Sequence, residues 1–156
     1  MSSTLSNNGL IFIFRVTRQG GSKRKEMKLR KHKHIIIRAY VNNPPKDANR
    51  LSDWCKEVVT AVGMKVIAGP LVVYCNMQCN AGYTAVTVLD FSHLAIHSWD
   101  EVSPALIEFD LFSCKEFDTN IVLDKLEEFD IVSHSIISVD RDEFDNRQIS
   151  KIKYAS

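Results

Sequence analysis

A chain of 156 residues, 45% hydrophobic and 25% charged, has the makings of one globular domain with a real core, and it holds no internal repeat or low-complexity stretch. The net charge of +1 conceals a division: residues 1–34 carry nine Lys/Arg against the single acid Glu26, and the remainder carries eleven basic against eighteen acidic residues. An acidic body excludes a broad nucleic-acid-binding surface there, and no apolar run approaches the roughly 20 residues of a membrane-spanning helix.

Residues 1–30 read as a basic, disordered N-terminal extension, with contact to nucleic acid or an anionic surface as the alternative use of its charge. Met27 stands close before the first convincing strand and is a candidate start. Gly9 to Val16 is too short to cross a bilayer and lacks the flanks of a secretory signal. The four cysteines are therefore expected as thiols, and the expected address is the cytoplasm. Residues 31–156 are expected to form the folded domain.

His34 to Tyr40 is β-branched and predicts a strand. Two prolines in Val41 to Lys46 predict a turn, and Asp47 is a suitable N-cap for a helix over Ala48 to Val62. Leu51, Trp54, Val58 and Val62 recur at helical spacing, and Gly63 ends the pattern. Met64 to Cys75 is extended with a break at Gly69-Pro70, and 76–82 is loop. Tyr83 to Leu89, His93 to Trp99 and Ala105 to Phe112 are three strands with short connections, which favours antiparallel pairing. Asp118 caps a second helix with Ile121, Val122, Leu126 and Phe129 inward, and Ile131 to Val139 is the last strand before a polar tail. The order β-α-β-β-β-β-α-β predicts an α+β fold, a two-layer sandwich of a mainly antiparallel sheet with two helices on one face.

The stretch Gly82 to Trp99 (GYTAVTVLDFSHLAIHSW) places Ser92 where two strand-like runs meet, with His93 and His97 following and Cys114 after the next apolar run. These residues are a nucleophile, proton shuttles and a proton donor. A strained Phe91–Ser92 peptide would let the Ser92 hydroxyl attack the Phe91 carbonyl and turn the amide into an ester. Loss of the Ser92 α-proton would then expel the Phe91 carboxylate, leaving dehydroalanine and, after hydrolysis, a pyruvoyl group. His97 is the candidate for that proton transfer. Strict alternation puts residues 92 and 97 on opposite faces, so Ser92 is expected in the turn rather than in the strand.

Ser92-His93, His97, Trp99 and Glu101, followed by Asp110, Phe112 and Cys114, resemble the Glu-Ser-His-x-x-x-His-x-Trp and Asp-x-Phe-x-Cys segments of bacterial-type S-adenosylmethionine decarboxylases. The resemblance runs from about His34 to Val139. It implies self-cleavage into a β chain ending at Phe91 and an α chain starting from Ser92, with Ser92 becoming a covalent pyruvoyl cofactor. It further implies a processing role for His97, Cys114 as proton donor and Thr84 as a supporting hydroxyl. The pyruvoyl carbonyl would take the substrate amine as a Schiff base and serve as an electron sink for decarboxylation. The expected substrate is S-adenosylmethionine, its product an aminopropyl donor for spermidine synthesis, and the expected assembly a homo-oligomer, a dimer of αβ units. Glu101 and Tyr83 are the candidate substrate-binding residues.

The chain departs from that pattern at Phe91, where the family has Glu, at Asp100, where it has Pro, and at 76–78, where an adenine-stacking aromatic is usual and Tyr74 or Tyr83 would substitute. These departures motivate two alternatives: a pyruvoyl-dependent arginine or ornithine decarboxylase, and a homologue that never cleaves and only binds. A zinc site of Cys75, Cys79, His93 and His97 has permissible spacing, but the histidines are better used by the pyruvoyl chemistry, and no metal is expected. His32 and His34 are read as solvent-facing members of the basic arm, and acidic pairs such as Glu127-Glu128 and Asp142-Glu143 as hydrated surface, with acids facing a binding cleft as the alternative means of attracting a cationic substrate or a diamine activator.

Overall fold

The computed structural model describes residues 31–141; the basic extension and most of the polar tail lie outside them. β1 (Lys33–Val41) leads to α1 (Ala48–Ala61), then β2 (Val66–Cys75), β3 (Gly82–Leu89), β4 (Ser92–Trp99) and β5 (Ala105–Ser113). α2 (Thr119–Leu126), a 3-10 turn (Glu127–Phe129) and β6 (Ile131–Asp140) complete the order. The expected α+β architecture is thus observed: one six-stranded sheet in the order β2-β3-β4-β5-β1-β6, antiparallel at every pair.

Local chemistry sets the helix ends. Asp47 accepts the Arg50 N–H at 2.8 Å to open α1, and Asp118 accepts the Asn120 N–H at 2.9 Å to open α2. Gly63, at φ 73°, takes the left-handed conformation that stops α1. The break expected at Gly69-Pro70 is a register shift within β2, which continues past it. β2 is an edge strand, so a residue without an N–H is tolerated there.

Alternation divides the sheet into two faces. On one, Ile35, Ile37, Leu94, Ile96, Ile107, Phe109 and Leu111 are buried against Leu51, Trp54 and Val58 of α1 and Val122 and Leu126 of α2. Trp54 joins the two helices by donating its indole N–H to the Lys125 carbonyl at 3.0 Å. Cys55 lies in this core, where burial pushes its thiol up to about 12, so it remains protonated at neutral pH. Among the described residues the other face carries no helix. There Ile36, Tyr40, Leu71, Val73, Val86 and Val88 are exposed, alongside Thr84, His93, His97 and Asp110.

Candidate active site

β3 and β4 are joined by a two-residue turn, Asp90 and Phe91, with Leu89 paired to Ser92. The turn is held on both sides. Asp90 donates its N–H to the Lys65 carbonyl and accepts the Lys65 N–H on its carboxylate, both at 3.0 Å. On the opposite side the Phe91 carbonyl accepts the Cys114 N–H at 2.9 Å. Within this clamp Ser92 has φ 144°, a backbone conformation that L side chains rarely adopt. Strain of that kind costs on the order of 1–3 kcal/mol and persists where the surroundings over-determine it.

Ser92 was expected outside the strand. It is instead the first residue of β4, paired with Leu89 and with the buried Ser113 of β5. The two ladders capture its backbone, and the positive φ is how the chain enters the strand from so tight a turn. Cys114, one residue past β5, is brought to the Phe91–Ser92 bond by the same pairing.

On the helix-free face a polar cluster surrounds the start of β4. His93 Nδ1 lies 3.2 Å from Ser92 Oγ, and His93 Nε2 lies 3.4 Å from Asp110 Oδ1. The other oxygen of Asp110 is bonded to His34 Nε2 at 2.6 Å. Cross-strand register explains the grouping. Phe112 of β5 stands opposite both His93 of β4 and His34 of β1, with Asp110 one diagonal step from each. The Phe112 ring packs between the two imidazoles, and the Arg141 guanidinium covers it at 4.3 Å. His34 is therefore no member of a solvated arm; it belongs to β1 and is held by a carboxylate. His93, Asp110 and His34 were missed as a group, although their strand parity placed all three on one face.

Thr84 and His97 also come together, Thr84 Oγ1 lying 3.0 Å from His97 Nδ1 across β3 and β4. They sit at the opposite end of β4 from Ser92, about 16 Å away at roughly 3.3 Å per residue. Glu101 accepts the N–H groups of Cys79 and Ala81, at 3.2 and 3.3 Å, and so holds the β2–β3 loop. Tyr83 packs toward the helix layer, its hydroxyl 3.4 Å from the Lys46 carbonyl, on the other face from Thr84 and His97. Among the described residues no group of three or more His, Cys, Asp or Glu could hold a metal ion, and no helix is long and apolar enough to cross a membrane.

A single antiparallel sheet backed by two helices, with a strained serine at a hairpin turn and a cysteine held beside it, defines an α+β protein whose reactive groups gather at one strand start. Residues 33–142 match the family model for S-adenosylmethionine decarboxylase, and the chain belongs to that family. Its fold is similar to that of the adenosylmethionine decarboxylase from Aquifex aeolicus VF5, with a TM-score of 0.53, 19% identity, and coverage of 76% of this chain and 96% of that one. No curated protein matches the sequence.

Proposed function

We propose that this chain is a self-processing, pyruvoyl-dependent decarboxylase of S-adenosylmethionine, whose product serves as the aminopropyl donor for spermidine synthesis in the cytoplasm. The observation that carries the reading is the φ of 144° at Ser92 beside a Phe91 carbonyl that accepts the Cys114 N–H. A hydroxyl next to a strained, polarised peptide is what an amide-to-ester shift requires. Ser92 Oγ adds to the Phe91 carbonyl carbon, and the negative charge grows on the oxygen that Cys114 N–H already faces. Collapse releases the Ser92 nitrogen as an amine and leaves Phe91 esterified to the side chain. Removal of the Ser92 α-proton then breaks the Cβ–O bond, with the Phe91 carboxylate as leaving group. Water replaces nitrogen in the resulting enamine, ammonia departs, and the new chain begins with a pyruvoyl group.

The residues present fit that group: a serine, its preceding carbonyl and an N–H donor share one turn. Once formed, the pyruvoyl group supplies an electrophilic carbonyl and an electron sink for loss of CO₂. Cys114, whose N–H already meets the Phe91 carbonyl, stands beside it as the proton donor.

Thr84 and His97 are too far along β4 to act on Ser92 of their own chain. In this reading a second copy laid against the helix-free face buries its exposed Ile36, Leu71, Val73, Val86 and Val88 and presents its own Thr84–His97 pair to the turn. The protein is thus a homodimer with two composite sites.

Phe91 favours one second reading, a pyruvoyl-dependent arginine or ornithine decarboxylase. Its ring packs at the core edge with Lys115 Nζ 5.7 Å from the centroid, where the resembled family has a carboxylate. Intact mass tests the processing: the 17.8 kDa chain should split between residues 91 and 92, and Ser92→Ala should stay whole. An uncut wild-type chain refutes self-processing. Release of labelled CO₂ from arginine or ornithine alone would transfer the substrate assignment to the second reading.

A further inference from the structure

Ser92 needs a base for its hydroxyl proton, a separate demand from removal of its α-proton. We propose that His93 is that base in the amide-to-ester step, and that Asp110 and His34 are positioning residues which fix its tautomer and ring. This rests on the self-processing reading and names the groups that begin it.

The geometry has the order hydroxyl, imidazole, carboxylate. His93 Nδ1 is 3.2 Å from Ser92 Oγ, at the limit of the range for a general base. The far nitrogen, Nε2, faces Asp110 Oδ1 at 3.4 Å. That oxygen is buried and makes no hydrogen bond among the described residues, so it has an unmet demand for a donor that His93 Nε2–H is placed to answer. An imidazole carrying its proton on Nε2 presents a lone pair on Nδ1, the atom beside the Ser92 hydroxyl. Asp110 is itself anchored, because its second oxygen is bonded to His34 Nε2 at 2.6 Å. The Phe112 ring keeps both imidazoles in place, at centroid distances of 5.9 Å from His93 and 5.7 Å from His34. The cluster comes from β1, β4 and β5, three neighbouring strands, so sheet pairing sets its dimensions.

The proton balance is complete. As Oγ bonds to the Phe91 carbonyl carbon, the hydroxyl proton passes to His93 Nδ1, and Asp110 stabilises the imidazolium. When the C–N bond breaks, that proton is delivered to the Ser92 nitrogen and His93 is again neutral. No oxidant, reductant or metal is needed. The later α-proton removal falls to a different group, the partner subunit's His97.

The two steps leave different chemical traces, since hydroxylamine cleaves an ester under mild conditions and leaves the peptide bond intact. The test follows full-length chain by intact mass after synthesis, with and without hydroxylamine, for wild type, His97→Ala, His93→Ala and Asp110→Asn. His97→Ala is expected to stall as an ester that hydroxylamine cuts between residues 91 and 92. His93→Ala is expected to stall earlier, with cleavage at least about 100-fold slower and no hydroxylamine-sensitive bond. Added imidazole should restore part of its cleavage, which a merely structural loss would not allow. Asp110→Asn should slow ester formation by about tenfold or more while the urea-unfolding midpoint stays close to that of wild type. A wild type that cleaves while His93→Ala cleaves as fast overturns the assignment to His93 alone. So does a folded His93→Ala that imidazole fails to rescue, or that accumulates ester. A wild type with neither cleavage nor ester overturns the self-processing reading itself.

Discussion

At the scale of single residues, the reactive turn draws on backbone groups as much as side chains. Cys114 contributes twice: its N–H meets the Phe91 carbonyl at 2.9 Å, and its thiol is the proposed proton donor. The two contributions separate by substitution. Cys114→Ala keeps the N–H, so cleavage should proceed at close to the wild-type rate while turnover falls about 100-fold or more. Cys114→Pro removes the N–H, and cleavage should slow by roughly 10²–10³-fold, as when one oxyanion donor is lost. Cleavage rates and CO₂ release measured on the same preparations check both. Ser92, His97 and Cys114 were legible in the sequence because their side chains carry recognisable chemistry. The Cys114 amide was not, since every non-proline residue has one and only pairing of β4 with β5 decides which carbonyl it meets.

At the scale of elements, capping and alternation carried most of the reading. Asp47 and Asp118 cap the helices as expected, and the period-two burial of β5 matches the alternation of Ile107, Phe109 and Leu111 with Glu108 and Asp110. Gly82 marks the limit of such reasoning. It looks like loop chemistry, yet it opens β3 at φ 150°, where a Cβ would lie 1.8 Å from the Ser98 carbonyl oxygen. The close approach of two backbones explains it, and no local pattern announces that. Gly82→Ala should therefore destabilise the protein by about 3 kcal/mol, near the upper end for single substitutions. Urea denaturation is the check, with a lower midpoint and an unchanged slope expected.

At the scale of the whole molecule, the sheet has one face packed by helices and, among the described residues, one without. The helix-free face carries His93 and Asp110, which adjoin Ser92 at one end of β4, and the Thr84–His97 pair toward the other. If a second copy completes each site, defects in the two halves should complement. Ser92→Ala and His97→Ala chains should each remain uncut when made alone. Co-expression should cleave a fraction of the His97→Ala chains, because the Ser92→Ala partner still supplies a normal His97. Mass spectrometry showing no cleaved chain in the mixture would rule out the composite site.

By itself, the amino-acid order determined the element sequence and the α+β class, because caps, turn residues and period-two patterns act over a few neighbours. It put Ser92 in the turn, and only the ladders on either side made it the first residue of β4. The three-dimensional structure decided what lies across the strands: which carbonyl Cys114 faces, that Asp110 stands between His34 and His93, and that His97 is remote from Ser92. Those facts depend on register between segments as far apart as residues 34 and 110, which no local pattern encodes.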